Sequence, residues 1–132
     1  PYPQHCYATA GALASTMGWA QGRVSMSFQS LFGREEWLHP YTDETLRALA
    51  RRRFSRLAVI CPGFTADCLE TLEEMGITNR ELYQAAGGGH YRLVPCLNTH
   101  PAWIDGMATI VRRELRGWPC EARVTALKKV VG

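Results

Sequence analysis

A run of acidic side chains near the middle of the sequence has the spacing of one helix face. Asp67, Glu70 and Glu74 are three and four residues apart, and Cys68 lies beside them. Carboxylates bind labile divalent cations, and a neighbouring thiol favours softer ones. Two close carboxylates also raise each other's pKa, which would let one of them accept a proton near neutral pH. The spacing predicts a site for a divalent cation or for protons, unless these acids only solvate a surface helix.

The segment before these acids predicts where the helix begins. Residues 57–60 are apolar and typical of a short buried strand, which Pro62 and Gly63 would end. Thr65 is a candidate N-cap, so we expect an acidic helix from Thr65 to about residue 75, stopped by Gly76. In open α/β sheets ligands bind beyond the carboxyl ends of the strands. The acidic helix would open at such an end.

Strands and helices alternate along the whole chain. The predicted strands are 23–28, 57–61 and 91–97, and the predicted helices are 4–17, 42–53, 65–75, 79–86 and one that begins at residue 101. This alternation predicts an α/β fold, with a three-layer, doubly wound parallel sheet and helices on both faces. We expect residues 1–132 to form a single α/β domain.

The carboxyl ends of the three predicted strands would share one edge of the sheet. Gln29 and Ser30 follow the first strand, residues 62–68 the second and residues 96–98 the third. Trp37 lies in the loop after the first strand, where it could stack on a flat aromatic ligand or pack into a local core. Gln29 and Ser30 could contact that ligand or only cap turns. Composition and spacing thus predict an acidic and aromatic site but do not name a reaction.

Composition excludes several classes of protein. The 132 residues are 46% hydrophobic and 20% charged, as in ordinary globular domains, and the net charge of +3 is too small to indicate nucleic-acid binding. The arginines between residues 47 and 56 fit a solvated helix face. No segment is long and apolar enough to span a membrane. Five cysteines without a CxxC pair indicate reduced thiols in a cytoplasmic protein: Cys6, Cys61, Cys68, Cys96 and Cys120.

The residues at the predicted edge also carry a family resemblance. The segments are 27–30, 32–38, 40–45 and 62–74, continued by 79–82 and 95–98. Their order and spacing resemble the C-terminal half of bacterial ferrochelatases over nearly all of the chain, to about Arg113. That family inserts ferrous iron into protoporphyrin IX, the last step of haem synthesis, with the porphyrin between two Rossmann-like α/β domains. The resemblance implies that this chain is the C-terminal domain of such an enzyme.

The resemblance also implies roles for individual residues. Glu70 matches the catalytic acid that faces the porphyrin, in metal delivery or pyrrole deprotonation, and Glu74 matches the next acid along the metal route. Trp37 and the pair Gln29-Ser30 match porphyrin-binding positions. Protoporphyrin IX and Fe²⁺ are then substrates, and no cofactor is permanently bound.

Some positions depart from the family pattern. Cys68 stands where many relatives carry His, so it is a candidate metal relay, and Thr78 occupies the third acidic step. Leu31 stands where close relatives carry a basic residue. Because Cys120 has no closely spaced cysteine partner, we expect no [2Fe-2S] cluster.

The chain begins Pro1-Tyr2-Pro3 without an initiator Met, as a domain of a longer protein would. The family's active-site His and its N-terminal domain, which forms the other wall of the cleft, lie upstream of this segment. We therefore expect the chain alone to be inactive. Two other functions remain open. One is a chelatase for another tetrapyrrole, coproporphyrin or sirohydrochlorin, and the other is a porphyrin- or haem-binding module without catalysis.

Overall fold

The computed structural model describes residues 1–20, 22–30 and 36–118. The elements, in chain order, are α1 (Tyr2–Thr16), α2 (Thr42–Arg51), β1 (Arg56–Val59), a π-helix (Glu70–Thr78), α3 (Asn79–Ala85), β2 (His90–Leu93) and α4 (Pro101–Glu114). The chain divides into two compact units, Pro1–Asn98 and a second that begins at Thr99 and contains α4. In the described part of the chain, no helix combines the length and the apolar character needed to cross a membrane.

The sheet consists of two parallel strands. β1 and β2 pair from Arg56 opposite His90 to Val59 opposite Leu93, and the π-helix and α3 connect them. Parallel strands require such a crossover, so the sequence alternation correctly indicated an α/β fold with a parallel sheet. The finer prediction, a three-layer doubly wound sheet, stays a prediction, as does the single domain spanning 1–132.

The core lies where α2 and α3 pack on the sheet. Leu46 and Ala50 of α2, Tyr83 of α3 and Tyr91 of β2 are buried together. Both tyrosine hydroxyls donate to main-chain carbonyls, Tyr83 to Phe54 O at 3.0 Å and Tyr91 to Met75 O at 2.8 Å. These bonds offset the cost of burying the hydroxyl groups.

The predicted strand at 23–28 was wrong except at its last residue. Phe28 forms an isolated parallel bridge with Tyr41. Its N–H donates to Pro40 O at 2.9 Å, and its carbonyl accepts from the N–H of Thr42 at 3.1 Å. The alternating pattern is present, but a strand also needs a neighbour, and none of the described strands lies along residues 23–27.

The bounds of the acidic helix were also wrong. It begins at Glu70 rather than Thr65, passes through Gly76 and joins α3 directly. Residues before Glu70 are held in another conformation, because the N–H of Asn98 donates to Thr65 O at 2.9 Å. At Gly76, a Cβ would lie 3.4 Å from the Leu93 side chain, so this face of the helix packs against β2. The sequence treated this residue as a helix stop, and it is a contact point.

The third strand is shorter than predicted. β2 ends at Leu93, although the N–H of Val94 still donates to Val59 O at 2.8 Å. Pro95 has no N–H to continue the ladder, so residues 94–97 leave the sheet.

Candidate functional site

Two residues that follow Phe28 are hydrogen-bonded to the π-helix. The N–H of Ser30 donates to Glu74 Oε1 at 2.8 Å, and its hydroxyl donates to Glu74 Oε2 at 2.6 Å. Gln29 Nε2 donates to the carbonyl of Glu70 at 3.1 Å. Ser30 has a left-handed φ of 63°, which is uncommon outside glycine, and in this conformation both of its donors reach one carboxylate. The predicted strand end therefore does meet the acidic helix.

Trp37 is part of the same group of contacts. Its indole Nε1 donates to Gln29 O at 3.0 Å, and the side chain is half-buried. Gln29 thus bonds to Trp37 through its main chain and to the π-helix through its side chain. Two of the residues predicted to bind porphyrin, Gln29 and Ser30, therefore contact Glu70 and Glu74, two of the three acids predicted to bind metal. Porphyrin binding by Trp37, Gln29 and Ser30 stays a prediction.

Side chains from three parts of the chain bind carbonyl groups of the π-helix. Besides Gln29 on Glu70 O, Asn79 Nδ2 donates to Glu74 O at 3.0 Å and the Tyr91 hydroxyl to Met75 O at 2.8 Å. The i→i+5 pattern of a π-helix is rare and is often found at functional sites. Here these side-chain donors satisfy carbonyls along the wide turns. They fix the position of the backbone that carries Glu70 and Glu74.

Glu70 is half-buried and negatively charged at neutral pH. A hydrogen bond from the Cys68 side chain, with a smaller contribution from the N–H of Glu70 itself, lowers the pKa of its carboxyl group below the usual value. Desolvation acts in the opposite direction and is weaker. Neighbouring carboxylates therefore do not raise the pKa of Glu70. The carboxylate is suited to attracting a cation rather than to accepting a proton.

Asp67 has a different role from the one its spacing indicated. It lies before the π-helix, and its carboxylate accepts from Asn98 Nδ2 at 2.7 Å, Thr71 Oγ1 at 3.1 Å and the N–H of Cys96 at 3.3 Å. The bond from Asn98 is the main reason that the pKa of Asp67 is lowered. The expectation that Asp67 would share a helix face with Glu70 and Glu74 was wrong. It joins the loops that follow β1 and β2.

Three thiols lie near these acids. Cys61 is buried, while Cys68 and Cys96 are half-buried. Burial raises the pKa of Cys61 to about 11, and the charges of Cys96 and Glu74 act in the same direction. Burial also raises the pKa of Cys96. Cys61 and Cys96 are therefore protonated at neutral pH and are weak metal ligands in this state.

The acids and thiols do not form a closed metal cage. In residues 1–20, 22–30 and 36–118, no group of three or more His, Cys, Asp or Glu side chains is arranged to hold one ion. Metal binding by Glu70, Glu74 and Asp67, and a relay through Cys68, therefore stay predictions. Open carboxylates can bind a hydrated cation weakly and release it.

A cavity of about 310 Å³ opens beside Glu74. Its wall also includes Asp43 and Glu44 from the start of α2, and Asp43 pairs with Arg47 at 2.7 Å. On the far side of the π-helix, the Thr78 hydroxyl donates to Glu73 Oε1. Thr78 therefore supports an acid that the sequence analysis had not singled out.

Sequence reasoning missed the residues that hold the site together. Asn98 was placed at the correct edge without a role, although a polar residue directly after a buried strand was a usable signal. Thr71 is 1% exposed and bonds to Asp67. Neither Thr71 nor Tyr91 could be distinguished in the sequence from an ordinary core residue. Leu31 and Cys120 lie outside the described residues, so the expectations about them stay untested.

Comparison with known proteins points to one family. The family model described as Ferrochelatase matches residues 1–115. A ferrochelatase of Thioalkalivibrio sulfidiphilus is 49% identical over 119 residues, which are 90% of this chain and 32% of that protein. A ferrochelatase of Photobacterium profundum is 49% identical over 118 residues, 89% of this chain and 37% of that protein. A ferrochelatase of Shigella boydii is 53% identical over 110 residues, 83% and 34% respectively. The chain spans about a third of the length of these relatives.

Proposed function

Because the chain belongs to the ferrochelatase family, we propose that the whole protein inserts Fe²⁺ into protoporphyrin IX and produces protohaem. The observation that carries this proposal is the junction of two groups of residues. Ser30 donates to Glu74 and Gln29 to Glu70 O, so the candidate porphyrin-binding segment is hydrogen-bonded to the candidate metal-handling helix. Metal insertion requires this proximity, since cation and macrocycle must meet.

The chemistry needs two things from the protein. Water must leave the ferrous ion, and two protons must leave the pyrrole nitrogens. Glu70 serves the first need, since a carboxylate of lowered pKa attracts a cation. Glu74 binds the ion before it reaches Glu70. Its oxygens accept from Ser30 yet keep further lone pairs for a hydrated cation.

Proton removal is a separate task. A group with a pKa below the usual carboxyl value is a weak base at neutral pH, so Glu70 delivers the metal before it accepts a proton. Once a porphyrin excludes water from Glu70, desolvation raises its pKa and makes proton acceptance more favourable. Cys68, whose side chain lowers the pKa of Glu70, is the softer ligand beside it and the candidate relay.

The remaining parts of the site come from outside this chain. The N-terminal domain would form the other wall of the porphyrin cleft, so we propose that residues 1–132 alone are inactive. Fe²⁺ is a substrate, and the proposal includes neither a permanently bound cofactor nor a [2Fe-2S] cluster. The free thiols of Cys6, Cys61, Cys68 and Cys96 are compatible with a reducing cytoplasm.

The test is metal insertion by the complete protein, followed by the fluorescence of protoporphyrin IX. Glu70→Gln keeps the size of the side chain and removes its charge, and we expect a loss of about 100-fold or more in kcat. Glu73→Gln is the matched control, because Glu73 is an exposed acid of the same helix. Its activity should stay within about threefold of the parent.

Other results would change the assignment. If Glu70→Gln metallates as fast as the parent, Glu70 is not in the catalytic path. If the parent binds porphyrin but inserts no metal, the protein is a binding module. If coproporphyrin or sirohydrochlorin is metallated faster than protoporphyrin IX, that tetrapyrrole is the substrate.

A further inference from the structure

A cavity of about 600 Å³ lies at the amino-terminal end of the strands, opposite the edge that carries Glu70. Its wall is formed by the end of α2, the loop before β1 and the turn before β2. The lining residues include Arg51, Arg53, Phe54, Ser55 and Gly89. Nothing in the proposed metal insertion uses this cavity.

The wall is positively charged. Arg51 and Arg53 line the cavity, and Arg52 stacks over the Phe54 ring at 5.0 Å from its centroid. Arg56 follows at the start of β1. Within the described residues, none of these four arginines forms a salt bridge, whereas Arg47 on the same helix pairs with Asp43. In this part of the chain, no acidic side chain therefore pairs with the positive charge at the end of α2.

Some hydrogen-bond acceptors around the cavity are already used within the protein. The carbonyl of Ser55 accepts from the N–H of His90 at 2.9 Å, and that of Phe54 accepts from the Tyr83 hydroxyl at 3.0 Å. The final carbonyls of α2 and α3 accept from the residues that end each helix. These bonded carbonyls are therefore not available to a ligand, and the negative end of α2 favours cations such as these arginines.

Main-chain donors remain. In the described part of the chain, no protein acceptor receives the N–H groups of Phe54, Ser55 or Gly89. The wall therefore offers N–H groups, guanidinium groups and the Ser55 hydroxyl as hydrogen-bond donors. Such a set fits a ligand with several negatively charged oxygen atoms.

The backbone conformation at Arg53 makes it possible to test whether its side chain binds a ligand or only stabilises the turn. Arg53 has φ 56°, a left-handed conformation that glycine adopts more easily after a helix. A glycine at this position would relieve the backbone and remove the guanidinium. Because glycine suits this turn better than arginine, replacing Arg53 by glycine removes the guanidinium without straining the backbone.

We propose that this cavity binds a phosphate-bearing ligand, with Arg51 and Arg53 as its cationic contacts. Phosphate suits the wall better than a single carboxylate, because its oxygens can accept from both forked guanidinium groups and from the main chain. The volume lies within the range of about 300 to 1,000 Å³ that is usual for small-molecule sites. The phosphate belongs either to a soluble compound or to a lipid headgroup.

The experiment measures binding of inorganic pyrophosphate to the complete protein by calorimetry at low ionic strength. We expect Arg51→Gln and Arg53→Gly each to weaken binding by about tenfold or more. Arg112→Gln, which removes the same charge from α4, should change the Kd less than about twofold.

Sedimentation with phosphatidylglycerol vesicles, compared with phosphatidylcholine vesicles, tests a lipid source. Thermal unfolding of each variant reports folding, and Arg53→Gly should not lower the Tm.

The outcomes separate clearly. Pyrophosphate binding that depends on Arg51 and Arg53 supports a soluble ligand. Vesicle binding with the same dependence, without pyrophosphate binding, supports a lipid phosphate. The proposal is overturned if neither probe binds, or if Arg51→Gln and Arg53→Gly bind as Arg112→Gln does. Metal insertion is measured separately, so failure here leaves the proposed enzyme activity unaffected.

Discussion

Ser30 donates two hydrogen bonds to the carboxylate of Glu74, one from its main chain and one from its hydroxyl, at 2.8 and 2.6 Å. The two residues are 44 positions apart in the sequence. The contact sets the direction of the Glu74 side chain and fixes the loop end that carries Gln29. This hydrogen-bonded pair would therefore fix the position of an ion bound on the π-helix relative to a porphyrin bound at the loop.

Ser30→Ala should slow metal insertion without unfolding the protein. The substitution removes the hydroxyl donor and leaves the N–H, so Glu74 keeps one of its two bonds and becomes more mobile. A hydrogen bond to a charged group contributes about 1.5 to 3 kcal/mol, so kcat/KM should fall about tenfold in the complete enzyme. We expect the KM for Fe²⁺ to rise more than the KM for porphyrin.

The control for Ser30 is Thr109→Ala. Thr109 donates only to Asp105 O in its own helix, so its hydroxyl can be lost without an effect on the site. Equal steady-state constants for Ser30→Ala and the parent would show that the bond does not matter for iron delivery.

Asn98→Ala should reduce stability at neutral pH and have little effect at strongly acid pH. The bond from Asn98 lowers the pKa of Asp67 in the folded state. A carboxyl group with a lowered folded pKa adds stability above its unfolded value, near 3.8, and loses it as pH falls through the folded value. Without Asn98 the folded pKa rises, and this acid-dependent part of the stability shrinks.

The measurement for Asn98 is the urea midpoint of the complete protein between pH 2 and pH 7, in parent and variant. The two curves should converge as the pH falls. Parallel curves would mean that Asp67 does not gain its lowered pKa from Asn98.

The sequence predicted which residues meet better than it predicted how they meet. Polar residues after strands place Ser30, Glu70 and Asn98 at one edge, because parallel strands align their carboxyl ends there. The sequence pattern could not predict the π-helix. Over a short span, an α-helix and a π-helix place nearly the same residues on one face, so their patterns look alike. Gly76 was wrongly predicted to end the helix. Its contact with Leu93 is tertiary, and helix propensity takes no account of such contacts.

Cys68→Ala should shift the acid limb of the metallation pH profile. The Cys68 side chain lowers the pKa of Glu70 by a hydrogen bond that favours the charged carboxylate. Without that bond the pKa of Glu70 rises toward its usual value, so Glu70 becomes protonated at a higher pH. The acid limb should then move to higher pH, as measured by kcat/KM for Fe²⁺ across pH 4 to 8.

Cys6→Ala is the matched control for this profile, because Cys6 is a free thiol on α1. Its acid limb should coincide with that of the parent. An unshifted limb in Cys68→Ala would remove Cys68 as a partner of the Glu70 carboxylate.

Tyr91→Phe tests whether the π-helix backbone matters for activity. Tyr91 is buried, and its hydroxyl donates to Met75 O, so the variant should lose about 1 to 2 kcal/mol of unfolding free energy. Tyr83→Phe is a close match, since Tyr83 is also a buried core residue and its hydroxyl donates to Phe54 O, away from the π-helix. Both variants should unfold at lower urea concentration, but only Tyr91→Phe should reduce kcat for metal insertion. If both reduce kcat alike, the effect comes from general destabilisation. If neither does, the acids of the π-helix do not depend on this carbonyl contact for their position.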